Sequence, residues 1–319
     1  MAHLFSPITI ARTKLVNRIV MAPRPSGHAT TSGFVEHSLI DYYVQRAKGG
    51  VGLIITEPMR VVPTSSGQTL AHLGLYDDAF IPALRDMVES IHAHDTRIIA
   101  MLDAAPELSR DATPKELRSL TEHFILAAWR ALAANFDGVM LSGADGNLLQ
   151  SMISPLTNRR YDEYGRTIDG RLRILTDIVE SIRQWMGKRL IIGFRLVAEE
   201  FDVGGITLQE ARMIASRAIG AGVHLLDITA DTRNDRAPIA RFPGWCIPLA
   251  SSIKRCIPDT PVIGSGLLGE PHLADSLIRE GSVDMVMLGN TLRTNPEWPN
   301  LARSFLVGQP DGVSDHFFS

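Results

Sequence analysis

The sequence is poor in what several protein classes require. It has two cysteines in 319 residues, Cys246 and Cys256. That excludes a disulfide framework and suggests a reducing compartment. Two thiols cannot hold zinc without help from histidine or carboxylate. The ten histidines show no H-x-x-x-H or similar spacing. A metal site therefore has little support, although Asp103, Asp145 and Glu199 could converge on a cation. Positive charge is not in excess, with 32 basic residues against 35 acidic ones and a net charge of -3. No bulk field would hold nucleic acid, and no basic tail points to a membrane surface. No apolar run approaches the roughly 20 residues a membrane span needs. The opening Met1-Ala2-His3-Leu4-Phe5-Ser6-Pro7 lacks the basic n-region and apolar stretch of a signal peptide. The expected location is the cytoplasm, and the expected partner is a small molecule, not nucleic acid or a membrane.

What is present is alternation. Short apolar runs recur at 18–22, 51–57, 97–103, 138–142, 190–196, 223–229, 261–264 and 283–288. They are continuous, not alternating, which suits parallel strands covered on both faces. Helical segments fill the gaps, expected at 38–47, 78–93, 170–185, 248–256 and 271–280. Thr113-Pro114-Lys115-Glu116 combines an N-cap, a proline at N1 and a glutamate at N3, and so predicts a capping box. Leu117, Leu120, Phe124, Ala128 and Leu132 follow on one helical face. Thr207-Leu208-Gln209-Glu210 predicts a second box, opening a helix that runs to about Gly220.

Eight βα units in about 300 residues fit an α/β fold of the (β/α)8 barrel type, one domain over residues 1–319. A doubly wound open sheet shares the local pattern, but no Gly-x-Gly-x-x-Gly follows the first strand. The longest irregular connection, about 147–169 after strand four, is expected to be functional or an ordered lid. Barrel chemistry sits at the C-terminal strand ends. That rule singles out Pro23, Arg24, Glu57, Asp103, Ser142, Asp145, Asn147, Arg195, Glu199, Glu200, Thr229, Asp231, Ser265 and Asn290.

From Leu4 to about Pro296 the chain resembles the old yellow enzyme family of FMN-dependent oxidoreductases. Four stretches carry the likeness. They are Leu4-Phe5-Ser6-Pro7 with Asn17-Arg18-Ile19-Val20-Met21-Ala22-Pro23; Tyr42-Tyr43 with Arg46-Ala47-Lys48-Gly49-Gly50 and Ile54-Ile55-Thr56-Glu57; Ser154-Pro155, Asn158, Arg160, Asp162-Glu163-Tyr164-Gly165, Arg171 and Arg173; and Asp284 to Gly289. The third is the most specific. The resemblance implies FMN across the barrel mouth, reduced by NADH or NADPH, passing a hydride to a small acceptor. It places Arg195 near the flavin pyrimidine edge, where a cation stabilises the reduced ring. It gives the phosphate to backbone donors at Gly264, Ser265, Gly266 and Gly289. Relatives often assemble, so a homo-oligomer is compatible with the likeness, although no motif specifies one.

The departures from the family fall at the reacting centre. The pair of His, or His and Asn, that polarises a substrate carbonyl is replaced within Ser142-Gly143-Ala144-Asp145, and the tyrosine after it by Asn147. An ionised Asp145 cannot donate to a carbonyl. Met101 stands where a glutamine meets the flavin, with Ala104 beyond it. Arg24 and Pro58 stand where small residues usually lie. Asn290 replaces the arginine that pairs with the FMN phosphate, a contact of about 2 kcal/mol, and Arg293 could compensate. Three readings follow. One is an FMN enzyme with altered substrate chemistry, either reduction or dehydrogenation, using Arg24, Asp103, Ser142, Asp145 and Asn147. The second is a flavin-free isomerase, cyclase or lyase with Asp103 and Asp145 as acid and base. The third is a non-catalytic relative. Asp145 has a plainer reading as a helix N-cap. Asp227 is expected to pair with a basic group inside the barrel. His92 and His94 read as surface residues, and Arg233-Asn234-Asp235-Arg236 as a solvated loop.

Overall fold

The computed structural model describes residues 2–63, 72–105, 107–233 and 242–308. The eight apolar runs form eight parallel strands: β1 (Ile19–Met21), β2 (Leu53–Ile55), β3 (Arg97–Asp103), β4 (Gly138–Gly143), β5 (Ile191–Val197), β6 (Leu225–Thr229), β7 (Val262–Gly264) and β8 (Met285–Leu288). Each pairs with the next, and β8 pairs with β1, Val286 opposite Ile19. The sheet therefore closes into the expected (β/α)8 barrel. Around it run α1 (His37–Lys48), α2 (Ile81–His92), α3 (Pro114–Ala133), α4 (Ile168–Met186), α5 (Leu208–Ala221), α6 (Ile247–Lys254), α7 (Pro271–Arg279) and α8 (Trp298–Gly308). Among the described residues no helix is long and apolar enough to cross a membrane.

Side chains along a strand point alternately inward and outward. On β3, Ile98, Ala100 and Leu102 join the layer beneath the helices, while Ile99 and Met101 join the barrel interior. The same parity sends Met140 inward on β4, Leu225 on β6, and Met285 and Met287 on β8. A short antiparallel hairpin, Ile8–Ile10 with Thr13–Leu15, supplies Ile10 and Leu15 to this interior cluster. Carried to the mouth, the parity puts Ser142, Arg195, Asp227 and Thr229 on the inner face. Register sets them side by side, with Ser142 opposite Arg195 and Arg195 opposite Asp227.

Local signals were mostly realised. The Thr113–Glu116 capping box forms in full. At α5 only half of the expected box forms. Thr207 accepts from the Glu210 N–H, but the Glu210 carboxylate is taken by Arg171 on α4. The hairpin and α8 were not anticipated, because three-residue strands carry little periodicity and α8 lies past the recognised motifs. Trp298 anchors α8, buried with its indole N–H donating to the Gly269 carbonyl at 2.8 Å.

Two glycines make opposite predictions. A Cβ on Gly49 would stand 1.8 Å from the Pro296 carbonyl oxygen, a backbone atom that cannot step aside cheaply. Gly220 lies inside α5 with nothing within 4 Å of its would-be Cβ. Gly49→Ala should lower stability by about 1–3 kcal/mol, and Gly220→Ala should raise it by about 0.5–1 kcal/mol. Denaturant unfolding of the two variants checks both, and the same sign for both would contradict the packing described.

Candidate active site

A cavity of about 410 Å³ opens at the C-terminal ends of β1, β5, β6, β7 and β8, within the size of small-molecule sites. At its floor Arg195 Nη1 donates to Asp227 Oδ2 and lies 3.7 Å from the Met287 sulfur. Asp227 is fully buried. Burial raises its pKa, with Arg195 opposing. For Arg195 burial pulls down, but Asp227 and Asp145 outweigh it and the guanidinium is held firmly protonated. Asp227 thus finds the basic partner expected of it. Arg195 Nε and Asp227 Oδ1 are buried with no hydrogen-bond partner among the described residues.

The end of β4 is organised differently from a free catalytic cluster. Asn147, not Asp145, caps the short helix Leu148–Ile153, accepting from the Gln150 N–H at 3.2 Å. The Asn147 amide donates to Ser142 Oγ and also hydrogen-bonds the Asp103 carboxylate. One of its donors is spent inside the protein. Asp145 is freed from capping. It adopts φ 58°, its side chain is 75% exposed, and it lines the cavity with a carboxylate oxygen 3.6 Å from Arg195 Nε. That distance is too long for a hydrogen bond.

Asp103 lies behind this group. Its carboxylate accepts from Arg60 at 3.0 Å and from the Ala104 N–H at 2.8 Å. Arg60 in turn reaches His72 at 3.3 Å. Burial is the largest influence on Asp103 and pushes its pKa up to about 6, against the lowering effect of Arg60. Burial and Arg60 lower that of His72. Sequence reasoning missed Arg60: it follows β2 but belongs to a two-residue strand extension, Met59–Arg60, that pairs with β3. No local signal ties it to Asp103, 43 residues away.

Of the residues assigned to a cofactor, Pro23, Arg195, Ser265, Gly266, Gly289 and Asn290 line the cavity, as does Arg24. Gly264, Met101 and Pro58 do not. Gly264 is demanded by packing, since a Cβ there would meet Ile247 and Val283 side-chain atoms at 2.7 Å. Met101 is buried in the interior cluster that also contains Met287. Arg293 is exposed and also absent from the wall. Trp245, Leu268 and Thr291 belong to the wall and were not anticipated.

The remaining strand-end acids serve the framework. Glu57 accepts from the Ser26 N–H at 2.8 Å and from its hydroxyl, and burial raises its pKa. Glu199 accepts from the Phe201 and Leu208 N–H groups. Glu200 and Asp231 flank a separate cavity, both held by Gln150. Arg233 pairs with Asp231, while Asn234, Asp235 and Arg236 lie outside the described residues, as does Pro106. His92 is half-buried and bonds Asp137 at 2.8 Å. The connection after β4 is a brace. Asn158 donates to the Met152 and Tyr164 carbonyls, Arg160 pairs with Asp162, and Arg171 donates to the Ile153 carbonyl. The most recognisable motif in the sequence therefore holds the loop in place and leaves the cavity to other residues.

The NADH:flavin oxidoreductase / NADH oxidase family profile matches residues 3–116 and 103–307. An NADH oxidase of Thermoanaerobacter brockii is 35% identical over 94% of the chain, which spans only 50% of that protein's length. An NADPH dehydrogenase of Geobacillus sp. (strain WCH70) is 31% identical, over 94% of this chain and 93% of its own. Among solved structures, an old yellow enzyme homologue from Zymomonas mobilis superposes with a TM-score of 0.78. Its identity is 23%, over 98% of this chain and 95% of its own. At that identity the match speaks for the fold.

The Asp103 environment gives a pH prediction. Its folded pKa, about 6, lies above the ordinary 3.8. Between those values the folded protein holds a proton that the unfolded chain has released. The stabilisation is complete below the ordinary pKa and is lost as pH rises through about 6. From about pH 4.5 to about pH 7.5 the wild type should lose about 2 kcal/mol relative to Asp103→Asn. Paired urea titrations measure the difference. A difference that stays flat with pH would mean the carboxyl is ionised throughout.

Proposed function

Because the chain belongs to the NADH:flavin oxidoreductase / NADH oxidase family, we propose that it is an FMN-dependent oxidoreductase. In this reading it draws electrons from NADH or NADPH and acts on a small organic substrate other than a simple enone. The observation that carries the reading is Arg195 Nε at the cavity floor, buried and without an acceptor among the described residues. A buried N–H without an acceptor is rare unless a ligand or water supplies one, and the carbonyl-bearing pyrimidine edge of FMN is such an acceptor. Pro23, Ser265, Gly266, Gly289 and Asn290 stand on the same wall and would hold the remainder of the cofactor. When bound, FMN supplies the hydride relay between nicotinamide and substrate.

The substrate side follows from what the protein's own residues have left to offer. Asn147 spends its amide on Ser142 and Asp103. It is a positioning residue that fixes the end of β4, and it does not line the cavity where a carbonyl would be polarised. Ser142 is fixed with it. Asp145 is the side chain of this group that faces the cavity. As a carboxylate it accepts hydrogen bonds and repels a developing enolate. It therefore suits a substrate with a protonated nitrogen, or a step in which a proton is removed. Asp103, near pKa 6 and hydrogen-bonded to Asn147, would couple the protonation of the mouth to pH. The flavin-free alternative draws less support, since Asp103 and Asp145 each face a different cation, Arg60 and Arg195.

Uptake of FMN with visible flavin absorbance, bleached by NADH or NADPH, is the expected result for the purified protein. Cyclohexenone should then be a poor oxidant of the reduced protein. Small cationic amines should perturb the flavin spectrum, with affinity falling roughly 10- to 100-fold in Asp145→Asn. A protein that stays colourless with added FMN would sink the cofactor assignment, and fast cyclohexenone turnover would sink the substrate assignment.

A further inference from the structure

Arg24 is a charged residue in the cavity wall with no side-chain hydrogen bond or ion pair among the described residues. Its backbone is constrained from both sides. Pro23 and Pro25 flank it, and a residue before proline is held extended. Its N–H donates to the Ala22 carbonyl at 2.9 Å. From there the side chain crosses from β1 to the neighbouring end of β8. A Cβ on Gly289 would stand 3.5 Å from Arg24 Cδ and 3.9 Å from Nη1. Those are ordinary van der Waals distances, so the arginine stem lies directly against the Gly289 backbone.

The place it reaches has the character of an anion seat. Gly266 is held at φ +113°, a conformation that favours glycine. Among the described residues no protein acceptor takes the backbone N–H of Gly266 or of Gly289. Two backbone N–H groups without a protein acceptor and an unpaired guanidinium therefore stand in the β7–β8 side of the cavity wall. Asp145 and the Arg195–Asp227 pair lie towards the ends of β4 to β6. Asn290 offers no charge at this end, and Arg293 is outside the wall.

We propose that Arg24 is the cation that pairs with the FMN phosphate, supplied from the end of β1 in place of the arginine absent at Asn290. The assignment rests on the FMN reading above and adds to it a residue and a chemical group. A guanidinium meets a phosphate dianion through charge-assisted, commonly bidentate hydrogen bonds. A flavin without the phosphate forgoes them.

The experiment compares FMN with riboflavin on flavin-stripped protein, each titrated by quenching of flavin fluorescence. Wild type should bind FMN more tightly than riboflavin. Arg24→Ala should weaken FMN roughly 10- to 100-fold and leave riboflavin within about twofold. Arg24→Lys should keep part of the preference, since an ammonium restores charge without the planar fork. Arg293→Ala should change neither affinity. A loss shared equally by both flavins in Arg24→Ala, or no loss of either, overturns the assignment, as does an FMN-specific loss in Arg293→Ala. A wild-type protein that binds neither flavin overturns the FMN reading and this assignment together.

Discussion

The mouth of the barrel is organised by one buried ion pair, Arg195 with Asp227. Two ions taken out of water lose several kcal/mol of hydration each, and only good geometry returns it. Here geometry follows from the sheet. Adjacent parallel strands place the two residues in register, and strand parity turns both inward above an apolar interior of Met101, Met140 and Met287. The pair uses only part of its hydrogen-bonding capacity. Nε of the arginine and Oδ1 of the aspartate have no hydrogen-bond partner among the described residues. Such a site is poised to gain from a ligand that brings its own acceptor, and it fixes where that ligand must sit.

Around this floor the substituted positions divide into two groups. Asn147 bonds Ser142, and Asp103 accepts from Arg60, so the end of β4 is held in place and mostly buried. Asp145 and Arg24 face the open cavity from opposite sides with different signs of charge. If the anionic end of a cofactor takes Arg24 and Asp227 compensates Arg195, the charge left for a substrate is the Asp145 carboxylate. The motif that most clearly marks the family, from Ser154 to Arg173, takes no part in this, because it braces the loop behind the site.

The barrel could be read from sequence because continuous apolar runs and capping residues act locally. All eight barrel strands coincide with such runs, and Thr113 with Glu116 opens α3 as its chemistry requires. The Asp227 pairing was also legible, since a buried carboxylate needs a partner. Non-local choices were not. Glu210 completes no capping box because Arg171, brought near by α4, offers a stronger partner. Asn147 takes the cap because Asp145 sits in a left-handed turn two residues earlier. Gly264 reads as a phosphate glycine in the sequence, and the packing demand on it shows only once Ile247 and Val283 are in place. Arg60 carries no local mark of its contact with Asp103.

A crystal structure of the protein grown with FMN tests the role of Arg195 at the cavity floor. The isoalloxazine pyrimidine edge should lie within hydrogen-bond distance of Arg195 Nε, with the Arg195–Asp227 bond intact beneath it. A cavity empty of flavin, or a flavin bound with Arg195 turned away from the ring, would contradict it.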